Sequence, residues 1–203
     1  MFTKKKGIFT GVALCCCIIL SAVILNIDTS EGSIIRNKYP LIETEKYVFD
    51  TNELEFAESV RYAPNIAEIE ILERLPNYTV TVEDEEMGIS DEVTFNQYKV
   101  RILDDVAETH FDKQSDGTII ICFAEGFAES YPNLTDGMNA ICSIEAAGGD
   151  HTGKYLLYDK TFYYIDSGLA LAAYEGDKSP ASNYCEKDDL VEQIKNIRNT
   201  SVK

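Results

Sequence analysis

Residues 66–82, IAEIEILERLPNYTVTV, decide the fold. Ala67, Ile69 and Ile71 alternate with Glu68 and Glu70, and a period of two puts the apolar set on one face of a strand and the carboxylates on the other. The LPNY stretch around Pro76 reads as a break, after which Tyr78, Val80 and Val82 resume the alternation. The run EDEEMGISDE (83–92) is too charged and turn-rich for a core and reads as an exposed loop. Further apolar runs follow: TFNQYKVRIL (94–103), TIIICFAE (118–125), MNAICSIE (138–145), KYLLY (154–158), TFYYID (161–166) and LALAAY (169–174). Gly117, Gly126, Gly137, Gly153 and Gly168 punctuate them, and DKT and DSG supply turns, so the end of the series reads as a β-meander with a tight pair around Asp159 or Asp166.

Helical spacing brackets this series. Asn52 with Glu55 three residues later resembles a capping box, and Leu54, Phe56 and Val60 offer apolar contacts. Near the end, Asp188 and Asp189 precede Leu190, Val191, Ile194 and Ile197, an i, i+4, i+7 stripe with acids at its leading end. About six short strands with glycine turns and no helical periods between them predict a mainly β protein. The expected form is a small antiparallel barrel of five or six strands, flanked by one short helix on each side.

Charge narrows the partners. The chain of 203 residues has 18 Lys and Arg against 35 Asp and Glu. Three of those bases are Lys4, Lys5 and Lys6, and no acid precedes Asp28, so everything from Asp28 onward carries 15 bases against 35 acids. Such a surface repels phosphate backbones and anionic headgroups, which excludes nucleic acid as an expected partner.

The uncharged run IFTGVALCCCIILSAVIL (8–25) follows the lysine cluster. As a helix it reaches about 27 Å, close to the hydrocarbon thickness of a bilayer. Lysine clusters stay on the cytoplasmic side, which puts the N-terminus inside and the remainder outside. The run is longer than the apolar core of a cleaved signal peptide, and its end, SAVILN, lacks a small-x-small cleavage site. Leu14 before Cys15 is the wrong context for lipoprotein processing. Cys15, Cys16 and Cys17 read as apolar filler, with palmitoylation as the other reading. The expected organisation is a cytoplasmic basic segment (1–6), a transmembrane signal-anchor (7–27), an extracytoplasmic stalk (28–48), the barrel (49–178) and a C-terminal helix and tail (179–203).

The order of signals, A-x-I-x-I-L, then NQYKVRIL, TIIICF, LTDGMNAICSIE and TFYYIDSGLALAAYEG, resembles the OB-like barrels of Gram-positive bacterial lipoproteins and membrane-anchored proteins. The match covers about residues 57–175, and the lipid-attachment Cys context of that group is missing. The resemblance implies a fold and a cell-surface location. Its members are largely without assigned activity, so it supplies no catalytic residue.

Candidate chemistry is sparse. His110 and His151 sit in loop-like contexts without metal-ligand spacing and read as solvated. Asp112, Asp116 and Gly117 match part of an EF-hand loop, but position 3 is Gln114 and position 12 is Phe123, in an expected strand. Glu83, Asp84, Glu85, Glu86, Asp91 and Glu92 offer at most a weak calcium site, with simple solvation the favoured reading. Cys122 and Cys142 fall in apolar strands and read as inert buried thiols. With Cys185 they allow one disulfide whose pairing is unreadable.

Of the aromatic cluster Tyr155, Tyr158, Phe162, Tyr163 and Tyr164, alternation sends about half outward, where a ligand surface or cross-strand packing is the choice. Asn77, Asn133 and Asn199 lie in N-x-[ST] sequons, meaningful only in a eukaryotic secretory pathway. No catalytic, cofactor or metal residue is expected. The leading expectation is a membrane-tethered extracytoplasmic module that binds a protein, peptide or small ligand. The alternatives are a hydrolase using unidentified carboxylates and an accessory subunit of a membrane complex.

Overall fold

The computed structural model describes residues 34–43, 55–84, 89–107 and 111–200. The expected anchor (7–27) lies outside them, as do Asn52, Leu54 and His110. Among the described residues no helix is long and apolar enough to cross a membrane. The chain divides into two compact units after Lys38. The first contributes one described helical turn over residues 34–38. The second, Tyr39–Lys203, carries the fold.

The protein is mainly β, as the alternation predicts. Helix α1 (Phe56–Tyr62) leads into β1 (Asn65–Asp84), β2 (Ile89–Asp105), β3 (Thr118–Ala124), β4 (Asn139–Ala146), β5 (Tyr155–Asp166), β6 (Leu169–Ala172), β7 (Cys185–Glu186) and helix α2 (Lys187–Thr200). The seven strands form one sheet in the order β3-β2-β1-β4-β5-β6-β7. A second pairing joins β3 to β5 in parallel through Ile121↔Tyr155 and Cys122↔Leu156. Strands β1, β2, β3, β5 and β4 therefore make a ring, and β6 and β7 continue beyond β5. The expectation of a purely antiparallel sheet is corrected here. β3 and β5 run the same way, so the sheet is mixed.

Two readings of breaks are also corrected. Pro76 does not end β1. One extra residue slips in between the pairs Leu75↔Gln97 and Tyr78↔Phe95, a bulge that accommodates a residue with no N–H to give the ladder. The Pro76 carbonyl accepts instead from Gln97 Nε2 at 2.6 Å. Likewise, DKT (159–161) is not a hairpin turn. Both halves of β5 pair with β4, across an irregularity between Cys142↔Phe162 and Ile144↔Leu157. The genuine hairpin is at DSG, where Ser167 and Gly168 both have positive φ (53° and 86°), as a two-residue type I′ turn demands.

The helices pack together rather than flanking the sheet separately. Val60 of α1, Ala63 just after it, and Leu190 and Ile194 of α2 are fully buried with Ile66, Ile141, Tyr163 and Ala172 in one cluster. The C-terminal stripe thus belongs to the core. Lys187 at the start of α2 reaches the buried Glu68 carboxylate of β1 at 3.1 Å. Near its end, Arg198 donates to the carbonyls of Arg61, Ala63 and Pro64, where the finish of α1 runs out of intrahelical donors. α1 is capped by Glu55, whose N–H donates to Glu58 at 3.3 Å, three residues beyond the expected cap. From the segment expected as stalk, Tyr39 stacks on Tyr164 at 4.6 Å and Ile42 bridges Tyr174.

Candidate functional site

The bulge at Pro76 and Asn77 has a second effect. It turns Tyr78 onto the face occupied by Leu75 and makes it the cross-strand partner of Phe95, their rings stacked at 5.3 Å. Gln97 lies two residues from Phe95 on that face, opposite Cys122 of β3. The β4–β5 connection, GGDHTG, closes over the same place. Gly149 and Gly153 take positive φ (57° and 82°), and a 3₁₀ turn over Gly149–His151 fixes the chain between Ala147 and Lys154, which pair through N–H···O at 2.9 Å. His151 leaves this turn with its ring edge on Phe95 (4.5 Å) and on Tyr78 (5.8 Å). Lys154 Nζ lies 4.2 Å above the Tyr78 ring, a cation–π contact.

Polar atoms link these groups. Tyr78 Oη lies 2.7 Å from His151 Nδ1 and 3.3 Å from Cys122 Sγ. The phenol has one proton, so the two contacts are coupled. If that proton goes to the sulfur, Nδ1 carries the histidine hydrogen; if it goes to Nδ1, the thiol donates to the phenol oxygen. Burial, with the adjacent Cys122, raises the Tyr78 phenol well above the usual tyrosine range. Burial also pushes the Cys122 thiol up, against the lowering effects of the Tyr78 hydrogen bond and the Lys154 charge. Both groups keep their protons at neutral pH. A fully buried, protonated thiol is a poor nucleophile, so the chain Cys122–Tyr78–His151 positions a surface rather than activating a sulfur.

The opposite face of the same strands carries a second aromatic row. Tyr98 stacks with Phe123 and Phe123 with Tyr131 (6.0 and 4.5 Å), next to Asn96, which accepts from Arg74 at 2.9 Å. Arg74, Asn77 and Glu125 continue as an exposed polar chain, with Asn77 donating to Glu125 at 3.3 Å.

The residues singled out from the sequence scatter. His151 is not a solvated loop histidine; it is the part of the connection that touches the sheet. Cys122, Cys142 and Cys185 are all free thiols, so the allowed disulfide does not form. Asp116 is committed to its own turn, accepting from Thr118 N–H at 3.1 Å and pairing with Lys99 at 2.6 Å, while Phe123 lies in β3 away from that loop. Among the described residues no three His, Cys, Asp or Glu side chains gather as a metal site. The outward-facing reading of the aromatic cluster fails: Tyr155, Phe162, Tyr163 and Tyr164 are all buried, because the helices cover one side of β5 and Tyr39 part of the other. The side chain of Tyr158 is outside the described residues.

Sequence reading passed over Tyr78, Phe95 and Lys154. The available signal was the glycine-rich GGDHTG between two strands, which presents a histidine on a tightly turned connection. No protein-family model matches the sequence, and neither does any curated protein.

Proposed function

We propose that the chain is a membrane-anchored extracytoplasmic binding module built on an OB-like barrel. Its ligand face is the surface of Tyr78, Phe95, His151 and Lys154. The pairing circuit β1-β2-β3-β5-β4 and the parallel β3–β5 closure support the barrel reading. In such barrels ligands lie on the face of strands 2 and 3, between the first and the fourth connections. The single observation that carries the proposal is the 2.7 Å link from Tyr78 to His151, which holds the β4–β5 connection over that face with half-buried aromatic rings around it. Phosphate-bearing ligands are disfavoured by the net charge of −17, which leaves proteins, peptides and uncharged or cationic small molecules. Anchoring and outward display rest on residues 1–27.

The test uses the full chain in its own membranes. A photo-reactive phenylalanine analogue at Phe95, compared with one at the exposed Glu192 of α2, should give a discrete adduct only from the first position. Adducts from both positions alike, or from neither, would remove the ligand face. Protease added to intact cells should digest the domain; protection until lysis would overturn the display.

A further inference from the structure

Beyond the ring, β1 and β2 go on pairing with each other alone. β4 accompanies β1 only along Asn65–Glu70, and β3 accompanies β2 only along Phe95–Arg101. The six pairs from Thr79↔Thr94 to Asp84↔Ile89 therefore make a two-stranded ribbon about 20 Å long. No further strand pairs with either edge among the described residues.

The two faces of this ribbon differ. Tyr78, Val80 and Val82 share one, opposite Phe95, Val93 and Asp91; Thr79 and Thr81 share the other with Thr94 and Glu92. The hydroxyls of Thr79 and Thr94 meet at 3.2 Å on the polar side. On the apolar side, His151 covers the root at Phe95, whereas Val82 at the outer part is 50% exposed. A ribbon of two strands is marginal in water unless something packs on its apolar face. Open edges invite a further strand.

Charge selects the occupant. Residues 83–92 hold Glu83, Asp84, Glu85, Glu86, Asp91 and Glu92 and no base. A second copy of the chain would bring the same carboxylates together, so self-pairing is opposed. We infer that the ribbon docks an extended segment of a partner protein in which apolar residues alternate with Lys or Arg. Added along an edge, such a strand extends the Val80–Val93 row with its apolar residues and sets its bases against Glu92 on the other face. This inference rests on the reading of the chain as a binding module and names its partner class.

The probe is a fluorescein-labelled peptide of alternating lysine and valine, titrated by anisotropy into full-length protein in detergent micelles. Alternating glutamate–valine and lysine–serine peptides are the controls. The lysine–valine peptide should bind at least about tenfold more tightly than either control. It should also lose about tenfold with Val82→Ser plus Val93→Ser, and as much with Asp91→Lys plus Glu92→Lys, variants whose thermal unfolding midpoints should stay near that of the parent. Equal binding by the parent and both variants, or equal binding of the glutamate peptide, overturns the inference. Concentration-dependent self-association abolished by the valine variant overturns it too, by making a second copy the occupant. If the Phe95 adduct survives in the Asp91→Lys, Glu92→Lys protein while peptide binding never depended on the ribbon, the binding module stands and the ribbon inference alone falls.

Discussion

Tyr78 Oη sits 2.7 Å from His151 Nδ1, so one phenolic oxygen ties the β4–β5 connection to the sheet across 73 residues of chain. Tyr78→Phe removes that oxygen and leaves the imidazole and the Cys122 thiol short of a partner. The expected loss is about 1–3 kcal/mol, read by urea unfolding. Amide exchange at residues 148–153 should quicken with it. If exchange there is unchanged in the variant, the tie does not hold the connection.

Leu190 and Ile194 are fully buried against α1 and the sheet. Leu190→Ala should cost about 2–5 kcal/mol, because its neighbours cannot collapse fully into the space. Glu192→Ala, on the exposed side of the same helix, should change stability by less than about 0.5 kcal/mol. Equal effects from the two would mean that α2 is not part of the core.

Arg198 closes the end of α1 by donating to backbone carbonyls there. Burial holds its guanidinium below the usual arginine value without discharging it. Arg198→Met keeps much of the packing and removes the donors, and should destabilise the fold by about 1–3 kcal/mol. Arg198→Lys should restore only part of that loss, since one ammonium cannot reproduce the planar fork.

The thiols should titrate late. Burial pushes Cys142 up to about 12 and, with the Asp189 and Glu186 charges, Cys185 up to about 11. In the native protein, iodoacetamide should label the half-buried Cys185 slowly. Its rate should rise about tenfold per pH unit from 8 towards 10 with no plateau, because only the thiolate reacts. Cys142 should be labelled only after unfolding. Mass mapping of a fast, pH-independent adduct at either site would contradict the buried positions.

Asp177 accepts from Ser179 N–H at 2.7 Å beside the Tyr163 hydroxyl, and burial raises its carboxyl above the ordinary value. The folded chain then holds this proton more tightly than the unfolded chain does. The stability it contributes is full below the unfolded value of about 3.9 and is lost as pH rises through the higher folded value. Asp177→Asn keeps the acceptor oxygen and removes the charge. The variant should gain on the parent as pH rises from 4 to 7, in paired urea titrations; a parallel pair of curves would refute the shift.

What the sequence revealed is what depends on neighbours along the chain. The Ala67, Ile69, Ile71 row and the Leu190, Ile194 stripe are periodic, and each is buried on the expected side. What it hid depends on distant partners. Pro76 reads as a stop because its bulge exists only opposite Asn96 of β2, and DKT reads as a turn because only the pairing with β4 shows that the strand continues. The aromatic run in β5 alternates correctly but is covered on both sides, a fact set by α2 and Tyr39 far away in sequence. His151 reads as solvated for the same reason, since Tyr78 and Phe95, which it touches, are far from it in sequence.

The position of α2 also governs when the protein can fold. Val60, Ile66 and Ile141 wait for Leu190 and Ile194, which follow every strand of the sheet in chain order. A nascent chain therefore carries that apolar patch bare until α2 has emerged, and the domain's core closes only then. A chain cut between β7 and α2 would keep every strand and still expose the apolar surface that Leu190 and Ile194 cover, a liability to aggregation.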